Sequence, residues 1–287
     1  MEDQAPSPTS PSRNRNLNLT DLSCCTHRGS SPEQQDAVLF ASRVIQSAHL
    51  LHGEQVDRND LLIAVADGVA TSPAAALASR RYLAALARVS ADSAGQPMTA
   101  RHVRTAHQLF CDELTRKRSS YGASTTLVAA HIIGRRVAVL NVGDSRAYRR
   151  SAAGEVAQIS RDHTELNRLR ESGIADAGVE YGSIYDALSD CLIADPEETG
   201  FAIHCESLEL QDGDLLILCS DGVHDVLGDV AWCALLAEHA TPQALVQQTR
   251  QRVLAAGAPD NFSIIAVRYE GDRGQSNISA EGQVHAD

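Results

Sequence analysis

Two copies of the tripeptide Asp-Gly-Val, each closing an apolar run, constrain this chain more than any other feature. Leu61-Leu62-Ile63-Ala64-Val65-Ala66 leads into Asp67-Gly68-Val69, and Leu215-Leu216-Ile217-Leu218-Cys219-Ser220 leads into Asp221-Gly222-Val223. Each run has the length and residue type of a buried strand. Each ends on a carboxylate beside a glycine, where the chain can turn sharply and the backbone can approach a ligand closely. A carboxylate at the mouth of a buried strand is costly unless it is paired or binds metal. Gly143-Asp144-Ser145 follows the run Val137 to Val142, and Pro259-Asp260-Asn261 precedes the run Phe262 to Val267. One Asp-Gly after a strand is an ordinary turn. Four aspartates at four strand ends form the donor set of a hard-cation site, because Mg²⁺ and Mn²⁺ take oxygen ligands. Two such ions with one bridging carboxylate activate a water and clamp the oxygens of an in-line phosphoryl displacement.

The remaining elements set the fold class. Ala74 to Val89 reads as a helix, with Ser72-Pro73 supplying an N-cap and a first-turn proline. A second helix opens at Met98-Thr99 and runs to about Arg116. Strands follow over 124–131, 136–142, 145–150 and 155–159, then a short polar helix over 162–171. Residues 172–200 read as irregular surface loops. Two further strands, from Phe201 to Leu210 and from Leu215 to Ser220, flank the hairpin turn Gln211-Asp212-Gly213-Asp214. Helices near 230–238 and 242–256 precede a last strand, Phe262 to Tyr269. Helices come in pairs and strands in hairpins, without regular βαβ alternation. The expected class is α+β, an α-β-β-α sandwich of two mostly antiparallel sheets flanked by helix pairs. The Pro/Ser/Asn/Arg-rich stretch 1–20 and the Gly/Ser/Gln-rich stretch 271–287 are expected to be flexible tails around one domain, 21–270.

A net charge of −12 leaves nothing basic enough to neutralise phosphates along a nucleic acid, whereas it suits a metal as cationic partner. No apolar run approaches the ~18 residues of a membrane span, and the polar N-terminus has no signal-peptide core. Seven scattered cysteines without a C-x-x-C pair fit a reduced, cytoplasmic chain, with the cysteines as small core residues. Nucleophile elbow, P-loop, H-E-x-x-H and G-x-G-x-x-G motifs are all absent.

Taken in order, Ala66-Asp67-Gly68-Val69, Gly122 to Leu127, Asn141-Val142-Gly143-Asp144-Ser145-Arg146-Ala147-Tyr148, Asp162-His163-Thr164, Asp212-Gly213-Asp214 with Cys219 to Val223, and Pro259-Asp260-Asn261-Phe262-Ser263 resemble the metal-dependent Ser/Thr protein phosphatases of the 2C type, the PPM family. The resemblance runs over about residues 22–270 and is strongest to compact bacterial members. It implies hydrolysis of phosphoserine and phosphothreonine by metal-activated hydroxide at a binuclear Mn²⁺/Mg²⁺ centre. It also implies phosphoproteins, a Ser/Thr kinase and its targets as partners, with no nucleic acid or membrane.

By the same resemblance Asp67 bridges the two metals, the Gly68 carbonyl adds a ligand, and Asp221 and Asp260 complete the pair. Asp144 with Asp221 would hold a weaker third ion, and Asp36 matches the acidic position at the start of the fold. Gln35 stands where members contact metal-bound water. Asp162-His163 and Thr125-Thr126 look structural. Three departures matter. Ser30-Ser31-Pro32 occupies the region where members carry a phosphate-clamping Arg, so Arg28 is the candidate substitute. Ala70-Thr71 replaces a Gly-Gly, and Val69 stands where eukaryotic members have a His. The missing clamp keeps an alternative open, a catalytically impaired pseudophosphatase acting as a regulatory binding module.

Overall fold

The computed structural model describes residues 19–57, 60–93, 95–176, 179 and 187–270. Both expected tails lie outside these residues, except that Leu19 and Thr20 already belong to a strand.

Among the described residues, fourteen strands and six α-helices alternate in blocks. The strands are β1 (Leu19–His27), β2 (Ala37–Phe40), β3 (Arg43–Ile45), β4 (His49–Asp57) and β5 (Asp60–Ala66), followed by helices α1 (Ala75–Asp92) and α2 (Ala100–Leu114). Next come β6 (Ser124–Thr125), β7 (Leu127–Ile133), β8 (Arg136–Val142), β9 (Arg146–Arg150), β10 (Val156–Gln158), α3 (Glu165–Glu171), β11 (Leu192–Ile193), β12 (His204–Glu209) and β13 (Leu215–Cys219). Helices α4 (Asp221–Leu227), α5 (Asp229–Glu238) and α6 (Pro242–Ala255) precede β14 (Phe262–Arg268).

Two six-stranded antiparallel sheets result, in the orders β10-β9-β13-β14-β1-β4 and β12-β8-β7-β5-β2-β3, with β11-β6 as a small pair beside them. Their facing sides interdigitate through Val38, Ile63, Val65, Val139, Leu218 and Ile265. The outer side of the second sheet packs on α1 and α2 through Ala64, Leu83, Phe110 and Leu140. The outer side of the first packs on α4 to α6 through Ile217, Trp232, Leu245 and Ile264. Central strands are therefore covered on both faces, which is why β5 and β13 read as unbroken apolar runs. The layer order is α-β-β-α, as the pairing of elements implied.

The differences from the sequence reading have local causes. Helix α1 begins after Ala74 in the left-handed region (φ 54°) with no side-chain cap. The Ser72 hydroxyl, expected to cap it, instead accepts the Ser124 N–H at 3.0 Å. The stretch after β13 is a helix from Asp221 onward, where Asp-Gly suggested only a turn. Residues 187–200 contain β11, and Leu192 and Ala194 are fully buried in the core. All seven cysteines are free; Cys24, Cys25, Cys111 and Cys219 are buried. Cys205 and Cys233 are exposed rather than core residues, the first on edge strand β12 and the second on α5. Among the described residues no helix is long and apolar enough to cross a membrane.

Candidate metal centre

The strand ends converge at one end of the sandwich. Antiparallel pairing of β5 with β7 puts Asp67 beside Thr125 and Thr126. Thr126 N–H and the Thr125 hydroxyl both donate to the Asp67 carbonyl at 2.8 Å, and Asp67 N–H donates to Thr126 Oγ1 at 3.1 Å. Gly68 bridges to Thr125, and its N–H donates to the Gln35 carbonyl at 3.3 Å. A Cβ at Gly68 would lie 2.3 Å from the Ala75 carbonyl oxygen, so only glycine fits there. The threonine pair thus fixes the backbone that carries the first carboxylate.

Asp36, the residue before β2, is fully buried. The Ser220 hydroxyl donates to its Oδ2 at 2.8 Å, while its Oδ1 has no partner. Asp221 opens α4, and its Oδ1 is likewise buried without a partner. Asp144 leaves β8 through Gly143 at φ 99°. That turn is held by His163, whose ring Nδ1 accepts the Gly143 N–H at 3.2 Å and whose backbone N–H donates to the Gly143 carbonyl at 3.0 Å. Asp162 in turn anchors Arg146 at 2.7 Å, and Arg146 reaches exposed Asp229 at 2.7 Å. Asp260 is exposed at the loop before β14 and accepts from Asn261 N–H at 2.7 Å and from the Ser31 hydroxyl at 3.2 Å.

Burial dominates the electrostatics. The Asp36 carboxyl is raised to about 7, chiefly by burial and in smaller part by Asp221, against hydrogen bonds that lower it. Asp67 and Asp144 are pushed well above the usual carboxylate range by burial first and then by neighbouring aspartates. Asp221 is raised as well, chiefly by burial, with the neighbouring Asp67 carboxyl and His224 drawing it back. Like charges crowded in a low-dielectric site cannot all ionise. Among the described residues, no arginine or lysine forms a salt bridge with any of these four. Among the described residues, no three acidic, His or Cys side chains already enclose a common point. Unpartnered buried oxygens on Asp36 and Asp221 in a site without a counter-cation are what divalent cations would complete. The donor set fits oxygen-preferring ions.

Arg28 sits in the loop that carries Asp36. Its Nη1 donates to the Pro32 carbonyl at 3.4 Å, and its Nε is buried without a partner. A cleft of about 590 Å³ opens beside Asp144 between α3 and α4, lined by Arg146, Asn167, Arg170 and His224. The sequence reading missed Ser220 and Asn261. Asn261 accepts the Gln35 N–H at 2.6 Å and donates to the carbonyls of Arg28 (2.7 Å) and Glu33 (3.0 Å), stitching the Asp36 loop to the Asp260 turn. Its place directly after Asp260 was the available signal. For Ser220 there was none beyond its position beside Asp221.

The model of the family described as "Protein phosphatase 2C" matches residues 46–256. The serine/threonine protein phosphatase PstP of Mycobacterium tuberculosis is 28% identical over 233 residues, which are 79% of this chain and 44% of that protein. A probable protein phosphatase 2C of Arabidopsis thaliana is 30% identical over 55% of this chain and 48% of its own. The chain thus spans about half the length of these curated relatives or less. Among solved structures, the mycobacterial PstP phosphatase matches with a TM-score of 0.70 at 23% identity, covering 88% of this chain and 99% of that one. Its catalytic domain in complex with two manganese ions matches at 0.67 and 24%. PppA, a regulatory component of type VI secretion in Pseudomonas aeruginosa, matches at 0.63 and 24%, over 87% and 97%.

Proposed function

The chain belongs to the protein phosphatase 2C family, and from that premise we propose that it hydrolyses phosphoserine and phosphothreonine in proteins, using two Mn²⁺ or Mg²⁺ ions. The observation that carries this reading is the set of unpaired carboxylates gathered from separate strand ends, with buried oxygens lacking partners on Asp36 and Asp221. The manganese-bound phosphatase structure of the same fold supports the choice of ions.

Asp67, the Gly68 carbonyl, Asp221 and Asp260 would hold the pair, with Asp36 beside them and Asp144 with Asp221 at a third position. Bound there, the ions supply a nucleophilic water near neutral pH and neutralise phosphoryl oxygens. The protein's own part is positional. Thr125 and Thr126 hold the Asp67 backbone, Ser220 holds Asp36, and His163 holds the Asp144 turn. The cleft between α3 and α4 leaves room beside Asp144 for a peptide carrying the phosphorylated side chain. The reading places the reaction in the cytoplasm, opposite a Ser/Thr kinase.

Purified protein with Mn²⁺ should hydrolyse p-nitrophenyl phosphate and a phosphothreonine peptide, and EDTA should stop both. Turnover undiminished in excess EDTA would overturn the metal-dependent reading; tight metal binding without turnover would favour a pseudophosphatase.

Arg28 keeps unused donors, and a guanidinium is the usual partner for phosphate oxygens that face the protein. Arg28→Ala is expected to raise KM for the phosphopeptide about ten- to a hundredfold, the value of one charge-assisted contact of ~1.5–3 kcal/mol. Metal affinity, read by calorimetry, should stay within about twofold. An unchanged KM would place the phosphate contact elsewhere.

A further inference from the structure

His27 ends β1 and faces His49 directly across the β1–β4 pairing. The Gly29 N–H donates to His27 Nδ1 at 2.9 Å, so that nitrogen carries a lone pair and the ring proton sits on Nε2. Nε2 lies 2.9 Å from His49 Nδ1, which therefore accepts it. On its other side the His27 ring stacks on Phe262, with centroids 5.1 Å apart and planes 18° apart. Both ring nitrogens are engaged, and this arrangement admits one tautomer of a neutral imidazole.

What the ring holds is the backbone at Gly29. This residue has φ +62°, and a Cβ there would lie 2.1 Å from the Asp260 carbonyl oxygen, so the loop is pressed against the Asp260 turn. Neighbouring bonds repeat the contact. Ser30 N–H donates to the Ala258 carbonyl at 2.9 Å, and the Ser30 hydroxyl to the Pro259 carbonyl at 2.8 Å. The same loop carries Arg28 at one end and Asp36 at the other.

We propose that the His49–His27–Gly29 hydrogen-bond chain is a positioning clasp, which fixes loop 28–36 against Asp260 and stays closed only while both imidazoles are neutral. Its catalytic consequence rests on the phosphatase reading above; the clasp itself does not. A second proton on His27 would sit on Nδ1 and point at the Gly29 N–H, leaving two donors face to face. A proton on His49 Nδ1 would collide in the same way with His27 Nε2–H.

The groups facing His27 are His49 from β4, Arg250 from α6, Arg28 from the adjoining loop and uncharged Phe262 from β14. Burial, then His49, Arg250 and Arg28, hold the His27 pKa below its ordinary 6.5. A histidine with a lowered folded pKa contributes stability that is complete above about 6.5 and lost as pH falls from there towards the lowered value. The His27 link to the Gly29 N–H is therefore closed at neutral pH and opens in acid.

Two variants and one measurement on the wild type decide it. His27→Phe keeps the stack on Phe262 but removes the acceptor; kcat/KM for a phosphopeptide at pH 7.5 should fall tenfold or more with the fold intact. His27→Asn offers an oxygen to the Gly29 N–H and cannot take a proton; it should recover most of that loss and flatten the acid limb of the pH profile. In the metal-free wild type, ¹⁵N NMR should show an unprotonated His27 Nδ1 at pH 7.5. The Gly29 amide should shift with the His27 midpoint, below 6.5. Wild-type kcat/KM in His27→Phe overturns the proposal, as does a Gly29 amide indifferent to His27 titration. If the wild type itself shows no turnover, the phosphatase reading fails and the NMR titration still decides the clasp.

Discussion

Asp67→Asn and Asp221→Asn are each expected to lower kcat/KM for a phosphopeptide by roughly a thousandfold or more, equivalent to ~4 kcal/mol of transition-state stabilisation. Each removes a carboxylate from the centre of the proposed metal-binding set. The fold should survive in both variants, because the metal-free site gains from losing a charge. Burial and neighbouring aspartates raise both carboxyls, so the folded state binds protons that the unfolded chain has released at neutral pH. For a carboxyl with a raised folded pKa, stability is complete below its unfolded value, near 3.8, and is lost as pH rises through the folded one. Metal-free wild type should therefore melt at a lower temperature at pH 8 than at pH 5. Asp67→Asn should shrink that difference, and added Mn²⁺ should reverse it in the wild type alone. Asp144→Asn should cost less activity than either, as a ligand of the third ion only. Equal and complete loss in all three folded variants would refute the ranking. A melting temperature independent of pH would refute the electrostatic account.

The second large effect is on the fold. A Cβ at Gly222 would lie 1.9 Å from the Asn261 carbonyl oxygen and 3.2 Å from Phe262 Cβ. Neither the first turn of α4 nor the backbone before β14 can yield without displacing the other, and both carry site residues. Gly222→Ala is expected to destabilise the domain by ~3 kcal/mol or more, the upper range for overpacking a rigid interior. Thermal unfolding should show a drop of roughly 6–12 °C. The same change at Gly134, where nothing lies within 4 Å of a built Cβ, supplies the control for losing a glycine with φ +58° and no clash. Gly222→Ala melting no lower than Gly134→Ala would mean that the Asn261 backbone moves aside at little cost.

Much of this was written in the sequence. Strands β5, β8, β13 and β14 announce themselves as apolar runs because sheets covered on both faces bury successive residues regardless of which way they point. The carboxylates at their ends were legible for the same reason: each interrupts a run that burial would otherwise have kept apolar. Helix α6 carries its own boundaries, with the Thr241 hydroxyl accepting the Ala244 N–H at 3.3 Å and Pro242 in the first turn. The order of motifs, by its resemblance to the family, suggested the ligand set proposed above. Local signals failed where a partner far along the chain won the residue. Ser72 has the type of a helix cap but spends its hydroxyl on Ser124, 52 positions away. Asp221-Gly222 has the type of a turn, yet packing on β14 and α6 makes it the first turn of a helix. His49 stands in no motif, yet it sits in a hydrogen bond to His27 set by strand register alone. What the sequence determined was which residues must be buried and which carboxylates interrupt them, since burial and desolvation act on each residue where it stands. What only the tertiary structure decided was which side chains share a hydrogen bond. Asp36 with Ser220 and Asn261 with Arg28 are joined across more than 180 positions, by pairings that no local pattern encodes.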